Sequence, residues 1–442
     1  MESITKLVHE CAEPLTGSRC DYDSLLDLIG DARFVLLGEG SHGTHEFYRE
    51  RAQITKRLVN EKGFHAIIVE ADWPDAFRVN RFVLARSDDE DSIDALAGFK
   101  RFPAWMWRNA DVLDFIGWLR THNDDHPKAR VGFYGLDLYS LHTSINAVVN
   151  YLEKVDSASA QRARKRYACF EQMGGDAQMY GYAAVTGTAK SCEEDAVNEL
   201  IELQMSAAKY LERDGLIAED ELFAAEQNAR LIKNAEHYYR TMFLGRISSW
   251  NLRDQHMAET VKALATHIEE QFHEPARIIV WAHNSHLGDA RATEMAYRHE
   301  LNLGQLLRQA FSEQVRSIGF LTDHGTVTAA SDWDAPAERK SVRPSLVESY
   351  EHVFHRTRLP RFFLDLRKDS ELKFNLAHPR LERAIGVIYK PETERQSHYF
   401  RAQLSQQFDG ALYFDETRAV EPLERTSEWE EGEVPETYPS GV

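Results

Sequence analysis

No run in this 442-residue chain approaches the eighteen or so uninterrupted apolar residues of a membrane helix, so no spanning helix is expected. The first ten residues, from Met1 to Glu10, lack the basic and apolar regions of a secretory leader. Basic residues are in deficit: 52 Lys and Arg against 71 Asp and Glu give a formal charge of −19. That balance speaks against nucleic acid and anionic membrane surfaces as partners. The four cysteines, Cys11, Cys20, Cys169 and Cys192, are scattered without a CxxC pair. A thiolate zinc site is therefore not expected, and a reduced, cytoplasmic chain fits best. The zinc-protease pattern HExxH is missing too, since His45-Glu46 is followed by Phe47-Tyr48-Arg49. There is no internal repeat and no low-complexity linker.

What is present reads as a folded α/β protein. Short continuous apolar runs at 34–37, 66–69, 131–134, 278–281, 317–321, 362–366, 384–389 and 411–414 have the pattern of buried parallel strands. Residues 44–62 carry helical spacing at Phe47, Ile54, Leu58 and Val59, and Gly63 closes the segment. Strand, helix and strand at this spacing make a βαβ unit and hence a mainly parallel central sheet flanked by helices. Residues 156–270 contain no proline and are rich in Ala, Glu, Lys and Leu, which predicts a helical insertion, lid-like in position. One domain over 1–442 is expected, ending in an acidic tail at 416–442.

Chemistry-bearing residues recur just past the predicted strands. The first run leads into Gly38-Glu39-Gly40-Ser41-His42-Gly43, the second into Glu70 and Asp72, the third into Asp137. The run at 278–281 leads into His283-Asn284-Ser285-His286. The carboxyl edge of an open α/β sheet is where ligand crevices form. A carboxylate directly after a buried strand is desolvated unless it is paired or used. Each residue has a plainer reading beside the functional one. Glu39 or Glu70 could cap a helix or pair with an arginine, and His286 could be a satisfied core histidine. Asp137 could cap the next helix, Arg51 could be an exposed helix residue, and His45 reads as structural. Asp323 and His324 read as part of a hairpin turn. The recurrence of Glu39, His42, Glu70, His283 and His286 at one topological position favours a site. The glycines at 38, 40 and 43 would permit a sharp turn and close approach of a ligand. Ser41 is not an elbow nucleophile, because Glu39 stands where G-x-S-x-G needs its first glycine.

Taken together, Gly38-Glu39-Gly40-Ser41-His42, Glu46-Phe47, Arg51, Glu70 and His283-Asn284-Ser285-His286 resemble the erythromycin esterase family, from about residue 30 to residue 415. The resemblance implies an α/β core with a helical subdomain. It also implies hydrolytic opening of a macrolactone by activated water, without a covalent acyl-enzyme and generally without a metal or other cofactor. By position, His42 is similar to the family's general base, while Glu39, Arg51, Glu70, His283 and His286 fall on its other active-site positions. Glu39 or Glu70 would orient the base, and Arg51, His283 or His286 would hold the oxyanion and leaving group. The segments 72–81 and 99–109 look like the family's large uncharacterised branch. Trp105, Trp107 and Arg108, with Arg78 and Asn251, are the candidates for contacting a bulky ester or lactone substrate, although both tryptophans could simply pack a loop. The stretch 249–254 could also face the cleft. Two other readings stay open: a metallohydrolase with His42, Glu70, His283 and His286 as ligands, and a non-catalytic haem, iron or small-molecule binder. The oligomeric state is not legible.

Overall fold

A computed structural model describes residues 2–173, 175–211 and 216–431. Eleven strands are found there: β1 (Glu13–Pro14), β2 (Phe34–Leu37), β3 (Ala66–Asp72), β4 (Gly132–Asp137), β5 (Ile278–Trp281), β6 (Val315–Ala329), β7 (Glu338–Val342), β8 (Arg361–Asp365), β9 (Arg380–Arg383), β10 (Tyr399–Ala402) and β11 (Gly410–Thr417). The main sheet runs β1-β8-β11-β6-β2-β5-β3-β4. From β11 to β4 every pairing is parallel, and β8 and β1 continue the sheet antiparallel.

The continuous apolar runs follow from burial on both faces. Phe34, Leu36, Ile68, Ile278 and Val280 point into one core, while Val35, Leu37, Ile67, Val69, Ile279 and Trp281 point into the other. The first core is covered by the helices Leu141–Val155, Leu216–Thr241 and Arg246–Phe272. The second is covered by His45–Lys62 and Ala110–Asp125. Gly63 ends the helix His45–Lys62 in the left-handed region at φ 62°, where a side chain would be strained. Among the described residues no helix is long and apolar enough to cross a membrane.

Several expectations are corrected. Residues 384–389 do not form a strand. They cross the carboxyl edge of the sheet as a strap, with Ile385 N donating to Gly40 O (2.9 Å) and His42 N donating to Ile385 O (3.2 Å). An apolar run looks the same whether it joins a ladder or packs singly over one. Asp323 and His324 lie inside the 15-residue strand β6, whose later part pairs with β7, and not in a turn. Four free thiols are not what the fold contains: Cys169 and Cys192 form a disulfide across 23 residues, while Cys11 and Cys20 are free. Helices on either side of those residues bring the pair together, which sequence spacing does not announce. Of the acidic tail, residues to 431 are described and include the helix Ser427–Glu431; the remainder lies outside the described residues.

Candidate active site

Four adjacent parallel strands, in the spatial order β2-β5-β3-β4, deliver their carboxyl ends to one place. The window after β5 ties its neighbours together through backbone donors. Asn284 N donates to Glu39 O (2.8 Å), and His283 N donates to Glu70 Oε2 (2.9 Å). The Asn284 side chain also brackets Phe320 on β6, donating to its carbonyl at 3.0 Å. Gly38 is needed because a Cβ there would collide with Asn284 Oδ1, and Gly43 because a Cβ would enter the Thr328 backbone. These glycines therefore serve protein packing, in place of the ligand approach expected from sequence.

On the β2 side, His42 Nδ1 donates to Glu39 Oε1 at 2.9 Å. This fixes the proton on Nδ1 of the neutral ring and leaves Nε2 as the basic nitrogen. Among the described residues no hydrogen bond occupies that nitrogen. Arg51 lies behind the pair, fully buried, with Nη2 2.7 Å from Glu39 Oε2. Its guanidinium is held between the rings of Tyr48 (4.5 Å) and Trp281 (5.1 Å). The close contact is an ion pair, not an aligned hydrogen bond, since neither group reaches hydrogen-bond geometry. Arg51 thus braces Glu39 from below and is not an exposed helix residue.

On the β5 side, His286 Nδ1 meets Asp254 Oδ1 at 2.9 Å, and its Nε2 lies 3.4 Å from Glu70 Oε1. Trp250 stacks on the ring at 4.6 Å. Burial would lower the His286 pKa, but Asp254 and Glu70 outweigh it, and Arg253, to raise it. Arg253 connects the whole region. It donates to Glu70 Oε1 (2.7 Å) and to both oxygens of Asp137 (3.0 and 2.7 Å), and its Nη1 lies 3.1 Å from His286 Nε2. Burial alone would raise the Glu70 pKa; His286, Arg253 and His42 instead hold it well below the usual carboxylate range. His283 differs again. Burial, then the neighbouring His42, push its pKa well down. Its Nδ1 accepts from Ser285 N (3.2 Å), so the neutral ring carries its proton on Nε2. The rings of His42 and His283 are 4.9 Å apart.

Two lobes of one cleft meet at these residues. A lobe of about 180 Å³ is walled by Asp72, Asp75, Phe99, Arg101, Phe102 and Trp107, among others. A lobe of about 380 Å³ lies beside His283, His286, Trp250 and the strap at Ala384 and Gly386. His42, Glu70 and Arg253 line both.

The fold therefore brings together Glu39, His42, Glu70, His283 and His286, with Arg51 underneath. Of the five substrate-contact candidates only Trp107 lines the cleft, its Nε1 donating to Glu70 O at 3.2 Å. Trp105 is buried in the second core. Arg108 pairs with Glu424, and Arg78 pairs with Asp89. Asn251 caps its neighbourhood by bonding His299 O and Leu301 N. None of these four lines either lobe. His45 bonds Asp111 at 2.8 Å, as a structural histidine would. Asp137 is chiefly the partner of Arg253, although its Oδ1 also accepts from Leu138 N. The sequence does not single out Arg253 and Asp254 within the stretch 249–254. Nor do His42, Glu70, His283 and His286 form a metal-ligand set among the described residues. The oxygens of Glu70 are already engaged by a guanidinium and a backbone amide, which disfavours a cation there.

A parallel sheet whose strand ends hold histidine–carboxylate pairs beside fixed arginines has the groups that proton transfer next to developing negative charge requires. The chain belongs to the erythromycin esterase family, whose model matches residues 59–417. It is 23% identical over 426 residues to the putative hydrolase YbfO of Bacillus subtilis, covering 91% of this chain and 89% of that one. It is 21% identical over 324 residues to the erythromycin esterase type II of Escherichia coli, covering 70% and 73%. Among solved structures, a Bacillus cereus protein superposes with a TM-score of 0.79 at 22% identity, over 96% of this chain and 99% of that one. A mutant of the erythromycin esterase EreC in its open conformation gives a TM-score of 0.62 at 16% identity, over 90% and 93%. Family and relatives together support a hydrolase.

Proposed function

We propose that the protein is a carboxylic ester hydrolase that opens an ester or macrolactone, with macrolides such as erythromycin in its substrate class. Water attacks the acyl carbon directly. His42 Nε2 takes the water proton while the new C–O bond forms, and Glu39, braced by Arg51, stabilises the resulting imidazolium. The Nε2 proton of neutral His283, the Arg253 guanidinium and the His286 charge face the developing oxyanion. Collapse breaks the acyl–alkoxide bond, and the alkoxide receives the proton from His42. Arg51 is thereby reassigned from oxyanion holder to brace, because it is buried behind Glu39 and lines neither lobe.

The observation that carries this reading is the His42–Glu39 pair, with His42 lining both lobes. The test is mass spectrometry of a panel of macrolides and simple lactones after incubation with chelator-treated protein. A gain of one water, about 18 Da, with the native chain and not with His42→Ala supports the reading. A gain that persists in His42→Ala removes His42 as the base, and no gain with any macrolide removes that substrate class.

A further inference from the structure

Away from the cleft, ligand-type side chains from three segments converge. Asp323 and His324 of β6, Asp415 of β11 and His355 at the end of the helix Tyr350–His355 each offer one nitrogen or carboxylate oxygen, all within 4.8 Å of one another. Among the described residues no other group of three or more His, Cys, Asp or Glu converges this closely. His324 Nδ1 stands 3.0 Å from Asp323 Oδ2, and His355 Nδ1 stands 3.6 Å from the same oxygen. His355 Nδ1 is 2.7 Å from Asp415 Oδ1. None of the four lines either lobe of the cleft.

We propose that Asp323, His324, His355 and Asp415 form a binding site for one divalent transition-metal ion, zinc matching best, that pins β6, β11 and the helix Tyr350–His355 together. Two imidazole nitrogens and two carboxylate oxygens are a donor set that zinc accepts. A tetrahedral ion with bonds of about 2.0–2.1 Å holds its ligands roughly 3.3 Å apart. Three of the separations, 2.7, 3.0 and 3.6 Å, straddle that value, and the remaining pairs, all within 4.8 Å, close by at most roughly 1.5 Å on binding. Two carboxylates with two neutral imidazoles also balance the charge of the ion.

The carboxylates are already oriented by further partners, as metal ligands usually are. Asp323 Oδ1 accepts from Ser345 N (3.3 Å) and from the Ser345 hydroxyl, which leaves Oδ2 to the histidines. The Tyr413 hydroxyl donates to Asp415 Oδ1 at 2.7 Å. Asp323 is buried while the other three are half-buried, so the ion enters from solvent. Arg356 and Arg358 share that mouth and repel a loosely held cation. Binding there rests on direct coordination, not on the field of an acidic patch. The ion would also steady the cleft strap: Arg383 Nη1 donates to Asp323 O at 2.6 Å, and the next residues, Ala384 and Gly386, line the larger lobe.

The test uses the full-length chain without a histidine tag, stripped by chelator and dialysed against micromolar zinc or cobalt. About one zinc per chain and the absorption bands of tetrahedral cobalt are expected. The His324→Ala/His355→Ala double variant should lose both, while His42→Ala/His286→Ala should keep both. If the first double variant fails to match the chelated native chain by circular dichroism, Asp415→Asn decides, with zinc affinity expected to fall at least about tenfold. No zinc on the native chain overturns the proposal. So does zinc that survives loss of both outer histidines or of Asp415, or zinc that disappears with the cleft histidines.

Discussion

His42 and His286 share one local design and differ in what lies on the far side of the ring. Each places Nδ1 against a buried carboxylate at 2.9 Å, Glu39 for the first and Asp254 for the second. His42 lines the two lobes of the cleft, and among the described residues no hydrogen bond engages its Nε2. Beyond His286 Nε2 lie Glu70 at 3.4 Å and Arg253 at 3.1 Å, and Trp250 covers the ring face. A carboxylate on one nitrogen makes a base only when the other nitrogen can reach a substrate proton. Where it meets a second carboxylate, the same pairing raises the pKa of the ring and favours its charged form. In the proposed mechanism the two histidine–carboxylate pairs divide proton transfer and charge stabilisation between them.

The largest effect should come from His42→Ala. Removing a general base lowers kcat by about 10²- to 10⁴-fold with little change in KM, read by steady-state hydrolysis of the best substrate from the panel. If KM absorbs the loss instead, His42 is a binding residue and the division of roles fails. Next is Glu70→Ala, which leaves Arg253 and His286 without a shared partner. Breaking a buried ion pair costs about 3–5 kcal/mol, visible as a lower midpoint in urea denaturation. The pH dependence follows from the sign of the shift. The Glu70 pKa is depressed in the folded chain, so its contribution is present above the unfolded carboxyl pKa of about 4.3 and lost as pH falls through the lower folded value.

Asp254→Asn should act through His286. Its pKa is raised in the folded chain, so its charge contributes stability below the unfolded value of about 6.5, lost as pH rises through the higher folded value. Losing Asp254 moves that upper limit toward lower pH, both for stability and for kcat. The smallest effect is expected from Asp75→Asn in the smaller lobe. Burial, then the adjacent Asp72, push the Asp75 pKa up to about 7. Ionising this carboxylate costs folding energy as pH rises toward 7, so the amide should raise Tm at pH 8 and leave it unchanged at pH 4. The gain is of order 1 kcal/mol after solvent screening.

Much of this arrangement was legible because parallel strands buried on both faces leave unbroken apolar runs, and polar groups past their ends stand out. Glu39, His42, Glu70, His283 and His286 all stand at such ends. Arg253 and Asp254 do not. They sit within the helix Arg246–Phe272, where charged residues at helical spacing usually mean a solvated face. Only the packing of that helix over the sheet edge turns Arg253 toward Glu70 and Asp137. Trp105 and Trp107 show the reverse: both are buried in the second core, and only Trp107 also lines the smaller lobe, a difference the sequence pattern does not carry. The pairing of Cys169 with Cys192 likewise depends on how helices in the insertion return on themselves.

The most direct test is a pair of pH–rate profiles for kcat/KM, one for Glu39→Gln and one for Asp254→Asn, against the native chain. Glu39→Gln should depress the profile at every pH, since an amide cannot stabilise the His42 cation or hold its tautomer. Asp254→Asn should shift the alkaline limb to lower pH and recover activity on the acid side. The opposite pattern, or two indistinguishable profiles, would contradict the assignment of His42 as base and His286 as fixed charge.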